Sequence, residues 1–221
     1  MNDKRPPHLP RGIYAFAGDT LHTKCSFLEQ VDTLLAAGVK CIQIRLKATS
    51  DAEALEQTLK AIQHSEKHPK ARNAIFIVND RADMALLSHA HGLHLGEEDI
   101  PVPVARRLLG LSVLIGKTVR NLEQAHKARE EGADYVGLGP VFETRTKFLP
   151  MAALGTEALS YVAKHSPLPV VAIGGISASN IAEVAKAGAY AAAVISDIWQ
   201  AVEPGQQALK LEALFAKAVS S

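Results

Sequence analysis

Residues 74–99 read AIFIVNDRADMALLSHAHGLHLGEED, and this segment contains a complete β-α-β pattern. Ala74–Asn79 is a short apolar run rich in β-branched residues and predicts a strand, and Gly92–Leu95 predicts a second strand. Arg81–Ser88 lies between the two runs and predicts a helix. A helix that connects two short buried strands is typical of a parallel sheet.

The same alternation continues along the whole chain. Six further apolar runs predict strands near Ile13–Ala17, Lys40–Leu46, Val113–Lys117, Tyr135–Leu138, Pro169–Ile173 and Ala191–Ile195. The intervening segments have helical spacing, and glycines follow several of them where a helix should end. Eight β-α units in 221 residues predict an α/β fold, a (β/α)8 TIM barrel. We expect a flexible tail over residues 1–10 and a single barrel domain over residues 11–221.

The composition excludes several classes of partner. Lys and Arg total 24 and Asp and Glu total 23, so the net charge of +1 provides no broad field for nucleic acid or an acidic membrane. No apolar run approaches the ~18 residues that span a bilayer. The two cysteines, Cys25 and Cys41, are too few for a disulfide framework, so we expect buried thiols and a cytoplasmic protein. Association into a homo-oligomer stays open.

Polar residues and glycines follow almost every predicted strand. They are Arg45 and Lys47 at strand 2, Asn79 and Asp80 at strand 3, Asp99 after strand 4, Lys117 and Thr118 at strand 5, Thr144–Lys147 after strand 6, Gly174 and Gly175 after strand 7, and Ser196 after strand 8. Sites in (β/α)8 barrels lie at the carboxyl ends of the strands, so we expect all of these residues on one rim. Four cations converge there, Arg45, Lys47, Lys117 and Lys147, and they favour a polyanionic ligand.

Two carboxylates on neighbouring strands predict a metal site. Asp80 follows strand 3 and Asp99 follows strand 4, so their side chains should lie close enough to hold one hard cation. Mg²⁺ fits best because it uses one or two carboxylates together with water and substrate phosphates. The structural alternative is that Asp80 caps the helix Arg81–Ser88 and that Asp99 is a turn residue before Pro101.

A glycine pair predicts a second anion site. Gly174 and Gly175 end strand 7 and lead into a helix from about Ser179, which could offer backbone N–H groups to a phosphate. The alternative is a tight turn. His89, His91 and His94 are close in sequence, but the first two precede strand 4 and belong at the opposite end of the barrel. We therefore interpret the three histidines as structural or solvated rather than as zinc ligands.

Six motifs, in their order and spacing, resemble those of the thiamine-phosphate synthase family, also called thiamine-phosphate pyrophosphorylases. They are QIRLK at 43–47, NDR at 79–81, GLHLGEED at 92–99, GLGPVFETRTK at 137–147, AIGGI at 172–176 and VIS at 194–196. The similarity extends from about Gly12 to Ala201. It implies a Mg²⁺-dependent transferase that joins hydroxymethylpyrimidine diphosphate to thiazole phosphate and releases pyrophosphate.

The resemblance also implies a role for individual residues. The pyrimidine diphosphate would be bound by Gln43, Arg45, Lys47, Asn79, Thr118 and Lys147, the thiazole phosphate by Thr144, Thr146, Gly175, Ile195 and Ser196, and Mg²⁺ by Asp80 and Asp99. Pyrophosphate would leave first, so the catalytic residues would be the cations that neutralise it, Arg45, Lys47 and Lys147. Thr118 takes the place of a serine that is usual in the family.

Three other functions compete with this interpretation. A thiazole tautomerase has the same scaffold but would need no metal pair, and a histidine is expected at the position of Arg120. A catalytically silent paralogue that binds thiazole or thiamine phosphates is suggested by unusual residues at the ends of strands 1 and 5, Ala15–Asp19 and Lys117–Arg120. A sugar-phosphate epimerase would suit the Gly174–Gly175 pair and leave the loop at Thr144–Lys147 unexplained.

Overall fold

Eight parallel strands close into a barrel in the computed structural model, which describes residues 7–21, 23–71, 73–144 and 152–220. The strands are β1 (Gly12–Gly18), β2 (Cys41–Arg45), β3 (Ile75–Asn79), β4 (Gly92–Leu95), β5 (Leu114–Val119), β6 (Tyr135–Leu138), β7 (Val170–Ile173) and β8 (Ala191–Val194). The helices are α1 (Phe27–Ala36), α2 (Asp51–Lys67), α3 (Ala82–Leu87), α4 (Val102–Leu109), α5 (Leu122–Glu130), α6 (Gly155–His165), α7 (Ile181–Lys186), α8 (Ser196–Trp199) and α9 (Pro204–Val219).

The strand order confirms the predicted (β/α)8 barrel. Each strand pairs in parallel with the next one in the chain, and β8 pairs with β1, so no sheet edge is left. The register places Tyr14 of β1 beside Cys41 of β2 and beside Ala193 of β8. Because side chains alternate along a strand, these three residues face the same side of the sheet. Because all strands are parallel, their carboxyl ends lie around one rim of the barrel.

Apolar helix faces cover the outside of the barrel. In α1, Val31, Leu34 and Leu35 are fully buried, and their spacing forms one face of the helix. The helix begins with a capping box in which the Ser26 hydroxyl and the Glu29 carboxylate bond each other's backbone N–H. The outer layer of the core is thus built as the helical spacing in the sequence predicts.

The first and last elements pack against each other. The backbone N–H of Ile13 in β1 donates to the Glu212 carboxylate of α9 at 2.8 Å. Leu9 is buried, and its carbonyl accepts a hydrogen bond from the Tyr190 hydroxyl. Part of the segment expected to be a tail therefore packs onto the barrel. At the other end of β1, the indole N–H of Trp199 in α8 donates to the Phe16 carbonyl at 2.8 Å.

The sequence predicts buried thiols and no membrane-spanning segment. Both thiols are free, and burial raises the pKa of the Cys41 thiol well above its usual value. Cys25 is partly exposed. Over the four described ranges, every helix is too short or too polar to cross a membrane.

Candidate active site

The mouth of the barrel brings together side chains from β2, β3 and β4. Arg45 is the last residue of β2, Asn79 is the last residue of β3, and Asp99 lies in the loop that follows β4. Lys47 and Asp80 lie two residues and one residue beyond their strands. The structure therefore places these predicted site residues on one rim, as the barrel rule requires.

Lys47 and Asp80 form an ion pair at this rim. The Lys47 ammonium lies 2.7 Å from a carboxylate oxygen of Asp80. Asp80 is held in the left-handed region at φ +62°, and its backbone N–H donates to the His94 carbonyl at 2.8 Å. This unusual backbone conformation turns the chain sharply at the end of β3 and presents the carboxylate beside Lys47.

Asp80 and Asp99 are neighbours whose carboxyl groups influence each other's pKa. Burial and the hydrogen bond to Asp80 raise the pKa of the Asp99 carboxyl. Burial also acts to raise the pKa of Asp80, but the hydrogen bonds from Lys47 and Asp99 outweigh it and lower that pKa. Two neighbouring carboxyl groups of this kind offer oxygen ligands to a divalent cation.

The structural alternatives for the two carboxylates were a helix cap for Asp80 and a turn residue for Asp99, and the structure supports the second but not the first. Helix α3 begins at Ala82 with Arg81 in the capping position and without a side-chain cap, so Asp80 does not cap it. Asp99 does support its loop, because its carboxylate accepts the Gly96 N–H at 2.5 Å. Within the described part of the chain, three or more His, Cys, Asp or Glu side chains nowhere converge as a metal site. A cation held here would therefore depend on the carboxylate pair together with water and ligand oxygens.

Asp19 shapes the loop that carries Lys47, a role that sequence reasoning missed. Its carboxylate accepts backbone N–H groups of Lys47, Ala48 and Thr49 at 2.6 to 2.9 Å. Next to it, the Arg45 guanidinium donates to the Thr20 hydroxyl at 2.5 Å. The residues after β1, which the sequence marks as unusual, therefore fix both cations of the QIRLK motif.

Gln43 and Thr118 are the two ends of a buried polar chain. The Gln43 amide donates to the Tyr14 hydroxyl at 2.7 Å, and that hydroxyl lies 3.0 Å from the hydroxyl of Tyr135. The ring of His94 lies 3.0 Å from Tyr135 through Nδ1 and 3.0 Å from the Thr118 hydroxyl through Nε2. Tyr14 and Tyr135 were not predicted as site residues, and His94 was interpreted as structural or solvated.

The other two histidines lie at the opposite end of the barrel. His91 precedes β4, and its Nδ1 accepts the backbone N–H of Phe76 near the start of β3 at 3.2 Å. Burial lowers the pKa of His91. His89 is exposed and adopts a positive φ after α3. These positions agree with the expectation that neither residue reaches the mouth.

Lys117 does not join the cations at the mouth, contrary to the prediction. Strand β5 continues to Val119, two residues beyond the predicted end, and Thr118 faces the interior beside His94. Side chains alternate along a strand, so Lys117 faces the other side. Its ammonium donates to the Gly96 carbonyl at 2.5 Å and ties β5 to the loop after β4.

The connection between β6 and α6 carries several predicted site residues. Thr144 is described, whereas Arg145, Thr146, Lys147 and Phe148 lie outside the described residues. Arg120 bonds both sides of this connection, because its guanidinium donates to the Gly139 carbonyl at 3.2 Å and to the Ala152 carbonyl at 3.0 Å. Arg120, which stands where a thiazole tautomerase is expected to have a histidine, thus has a structural role beside the predicted loop.

The glycine pair after β7 is required by close packing. Gly174 and Gly175 have φ values of +100° and +64°. A Cβ at Gly174 would lie 2.5 Å from Pro140, and a Cβ at Gly175 would overlap Glu143, so only glycine fits against the start of the β6–α6 connection. The tight-turn interpretation therefore holds, and the same turn brings β7 next to Thr144.

The helix that follows the pair begins later than predicted. Helix α7 begins at Ile181 rather than near Ser179. The Ser177 N–H donates to the Asn180 side chain at 2.8 Å, and the Ala178 N–H donates to Asp197 at 3.1 Å. These two N–H groups are therefore already used. Ile195 and Ser196 directly follow β8, where Ser196 is the first residue of α8.

Comparisons with known proteins agree on one family. Residues 13–198 match the family described as thiamine monophosphate synthase. The thiamine-phosphate synthase of Myxococcus xanthus (strain DK1622) is 44% identical over 97% of each chain, and that of Caldicellulosiruptor bescii is 39% identical over 92% of this chain and 90% of the relative. Among solved structures, a thiamine phosphate pyrophosphorylase from Pyrococcus furiosus is similar with a TM-score of 0.82 and 33% identity, covering 94% of this chain and 96% of that one.

Proposed function

Because the chain belongs to the thiamine monophosphate synthase family, we infer that it is a transferase with thiamine-phosphate synthase function. We further propose that the barrel mouth binds a hydroxymethylpyrimidine diphosphate and a thiazole phosphate and releases pyrophosphate. The observation that carries this proposal is the ion pair of Lys47 and Asp80 beyond the ends of β2 and β3, with Asp99 as a neighbour from the loop after β4. A cation and two carboxylates in contact suit a diphosphate that arrives with a divalent metal ion.

The residues of the mouth have separate tasks in this reaction. The C–O bond between the pyrimidine methylene and the diphosphate breaks, and the electron pair leaves with pyrophosphate. Arg45 and Lys47 would stabilise the charge of that leaving group, together with Lys147 as a sequence-based assignment. The thiazole nitrogen then donates its lone pair to the methylene carbon and forms the C–N bond. No side-chain base is needed in these two steps, so the main contribution of the protein is to position the reactants and to stabilise charge.

We propose Mg²⁺ as the metal that Asp80 and Asp99 hold. The ion pair of Asp80 with Lys47 and the proximity of Asp99 support this choice, because two neighbouring carboxyl groups offer oxygen ligands to one hard cation. When bound, Mg²⁺ would supply positive charge to the diphosphate oxygens. Lys47 already contacts Asp80 and would keep the carboxylate ionised in the absence of the metal.

The thiazole phosphate would lie between β6, β7 and β8. The packing of Gly175 against Glu143 brings the turn after β7 to the residue before Thr144. We propose that Thr144, Gly175, Ile195 and Ser196 bind this substrate, with Thr146 as a further sequence-based assignment. The Asp197 carboxylate accepts the Ala178 N–H and links the start of α8 to the turn after β7.

The first experiment is an assay of pyrophosphate release by the purified protein. Hydroxymethylpyrimidine diphosphate and thiazole phosphate would be supplied together and singly, with Mg²⁺ or with a chelator. We expect release only with both substrates and Mg²⁺, with thiamine phosphate as the second product. Folded protein that releases no pyrophosphate would contradict the proposal and favour a thiazole tautomerase or a silent binding protein.

We propose that the partners are small phosphorylated molecules rather than nucleic acid, which the net charge of +1 supports. The free thiols Cys25 and Cys41 support a reducing compartment, the cytoplasm.

Leu87, Leu108 and Leu111 are 47% to 70% exposed on or beside α3 and α4, and they support association with a second copy of the chain. Cell fractionation tests the compartment, and light scattering that gives the mass of a monomer would contradict the association.

A further inference from the structure

The buried polar chain from Gln43 to Thr118 crosses the interior of the barrel. Tyr14 lies on β1 and Tyr135 lies on β6, which are not neighbouring strands, yet their hydroxyls are 3.0 Å apart. Tyr14 is 2% exposed and Tyr135 is fully buried, so neither ring can contact a ligand in the mouth. The chain nevertheless ends on two residues assigned to the pyrimidine diphosphate.

The donors and acceptors of this chain favour one direction for its hydrogen bonds. The Gln43 amide nitrogen can only donate, so Tyr14 accepts from it and has its own proton left for Tyr135. In this order, Tyr135 donates to Nδ1 of His94, which selects the tautomer that is protonated at Nε2 and donates to the Thr118 hydroxyl. In the reverse direction, Tyr14 would accept two hydrogen bonds and its own proton would need a further buried acceptor, which is unfavourable. In this order, Thr118 accepts a hydrogen bond, so its own proton can be donated to a ligand.

The strands are built around the rings of this chain. A Cβ at Gly116 of β5 would overlap the Tyr135 ring, and a Cβ at Gly137 of β6 would lie 3.0 Å from the His94 ring. The centroids of the His94 and Tyr135 rings are 5.6 Å apart. Because any larger residue at Gly116 would displace Tyr135, the two rings are held in one place by the barrel wall.

We propose that Tyr135 and His94 are positioning residues for the transfer reaction. They hold the Thr118 hydroxyl with its proton directed at the pyrimidine diphosphate, and they act on the substrate only through Thr118. This inference rests on the proposed function and adds Tyr135, which is buried away from the mouth, together with His94, through which it reaches Thr118. It also gives a reason for a polar chain in a barrel interior that could be filled by apolar side chains.

A double-mutant cycle tests the proposal. Tyr135→Phe removes only the hydroxyl of the central residue, and Thr118→Ala removes the hydroxyl on which the chain acts. We expect Tyr135→Phe to lower kcat roughly tenfold, because misorientation of one contact is enough to slow a positioned reaction. The KM for the thiazole phosphate should stay unchanged. In the Thr118→Ala background, Tyr135→Phe should have no further effect, since the residue through which it acts is gone.

Two controls separate positioning from a general loss of structure. Tyr190→Phe removes a tyrosine hydroxyl that bonds the Leu9 carbonyl far from the mouth, and it should leave kcat unchanged. His94→Gln keeps an amide nitrogen near the place of Nε2 and should retain more activity than His94→Leu. This rescue does not depend on whether Tyr135→Phe folds.

The outcomes are distinct for this proposal and for the proposed function. Wild-type protein that makes thiamine phosphate establishes the function in the same assay. Given that activity, a Tyr135→Phe variant within twofold of the wild-type kcat would overturn the positioning role. Effects of Tyr135→Phe and Thr118→Ala that multiply in the double variant would also overturn it, as would equal activity of His94→Gln and His94→Leu.

Discussion

Asp80 combines an ionised carboxylate with a left-handed backbone at the end of β3. A substitution must respect both properties if its effect is to be interpreted. Asparagine tolerates φ +62° and keeps the shape of the side chain, whereas alanine would add backbone strain. Asp80→Asn therefore isolates the contribution of the charge.

We predict that Asp80→Asn lowers kcat/KM about 100-fold or more, because it removes a charged group that contacts Lys47 and is proposed to hold Mg²⁺. The midpoint of urea unfolding should change little. Steady-state kinetics and urea unfolding check the two parts. Asp83→Asn is the matched control, since Asp83 is exposed and pairs with Arg81 on the outer surface. Activity of Asp80→Asn equal to that of the control would remove Asp80 from the site.

Single residues also mark the limit of what could be predicted. Asp80 and Asp99 were placed together correctly because the carboxyl ends of consecutive parallel strands must be neighbours. The prediction for Lys117 was wrong because Lys117 was taken as the last residue of β5, whereas the strand continues to Val119 and its alternation places Lys117 on the face opposite Thr118. Tyr14 and Tyr135 were missed because an aromatic residue in a strand usually belongs to an apolar core.

At the scale of the elements, two glycines inside strands could have indicated the buried polar chain. Gly116 and Gly137 stand inside strands, where glycine is unfavourable unless another group approaches closely. Their positions on β5 and β6 indicate that large side chains occupy the interior at the same level. The identity of those side chains depends on register across the closed barrel, which no local pattern in the sequence specifies.

Two glycine-to-alanine substitutions in different elements should have opposite effects. Gly116→Ala in β5 places a Cβ against the Tyr135 ring, and we expect it to lower the free energy of unfolding by about 2 kcal/mol. Gly205→Ala in the first turn of α9 meets only Thr33 at 3.5 Å and should raise that free energy by about 0.5 kcal/mol. Urea unfolding of both variants checks the prediction. A stable Gly116→Ala variant would contradict the packing of Tyr135.

The connection between β6 and α6 should depend on Arg120. Replacement of Arg120 by alanine removes the hydrogen bonds to the Gly139 and Ala152 carbonyls, and we expect a loss of about 1 kcal/mol of unfolding free energy. Activity should fall as well, because Thr144 lies between those two residues. Arg107→Ala on the exposed side of α4 is the matched control. Equal stability and activity of the two variants would show that Arg120 does not support this connection.

At the scale of the whole molecule, Glu212 joins the last helix to the first strand. Burial raises the pKa of the Glu212 carboxyl above its usual value of 4.5, although the Ile13 N–H and Lys40 act in the opposite direction. The folded state therefore binds this proton more tightly than the unfolded state does. The associated stability is fully present below pH 4.5 and is lost as the pH rises through the folded-state pKa.

We predict that Glu212→Gln becomes more stable relative to the wild type as the pH rises from 4.5 to 7. Glutamine keeps an oxygen that can accept the Ile13 N–H, so the hydrogen bond to β1 is preserved. Urea unfolding of both proteins across this range gives the difference. A difference that is independent of pH would show that the Glu212 carboxyl titrates at its ordinary value.

The bond between Trp199 and Phe16 has a practical consequence. Trp199 is the single tryptophan of the chain, it is 4% exposed, and its helix begins with Ser196, which is assigned to the thiazole phosphate. Intrinsic fluorescence excited at the indole band therefore comes from one known place beside the mouth. Emission should shift to longer wavelength on unfolding, and a ligand that displaces α8 should change its intensity, so Trp199 can be used to test the proposed binding of a phosphate at Ser196.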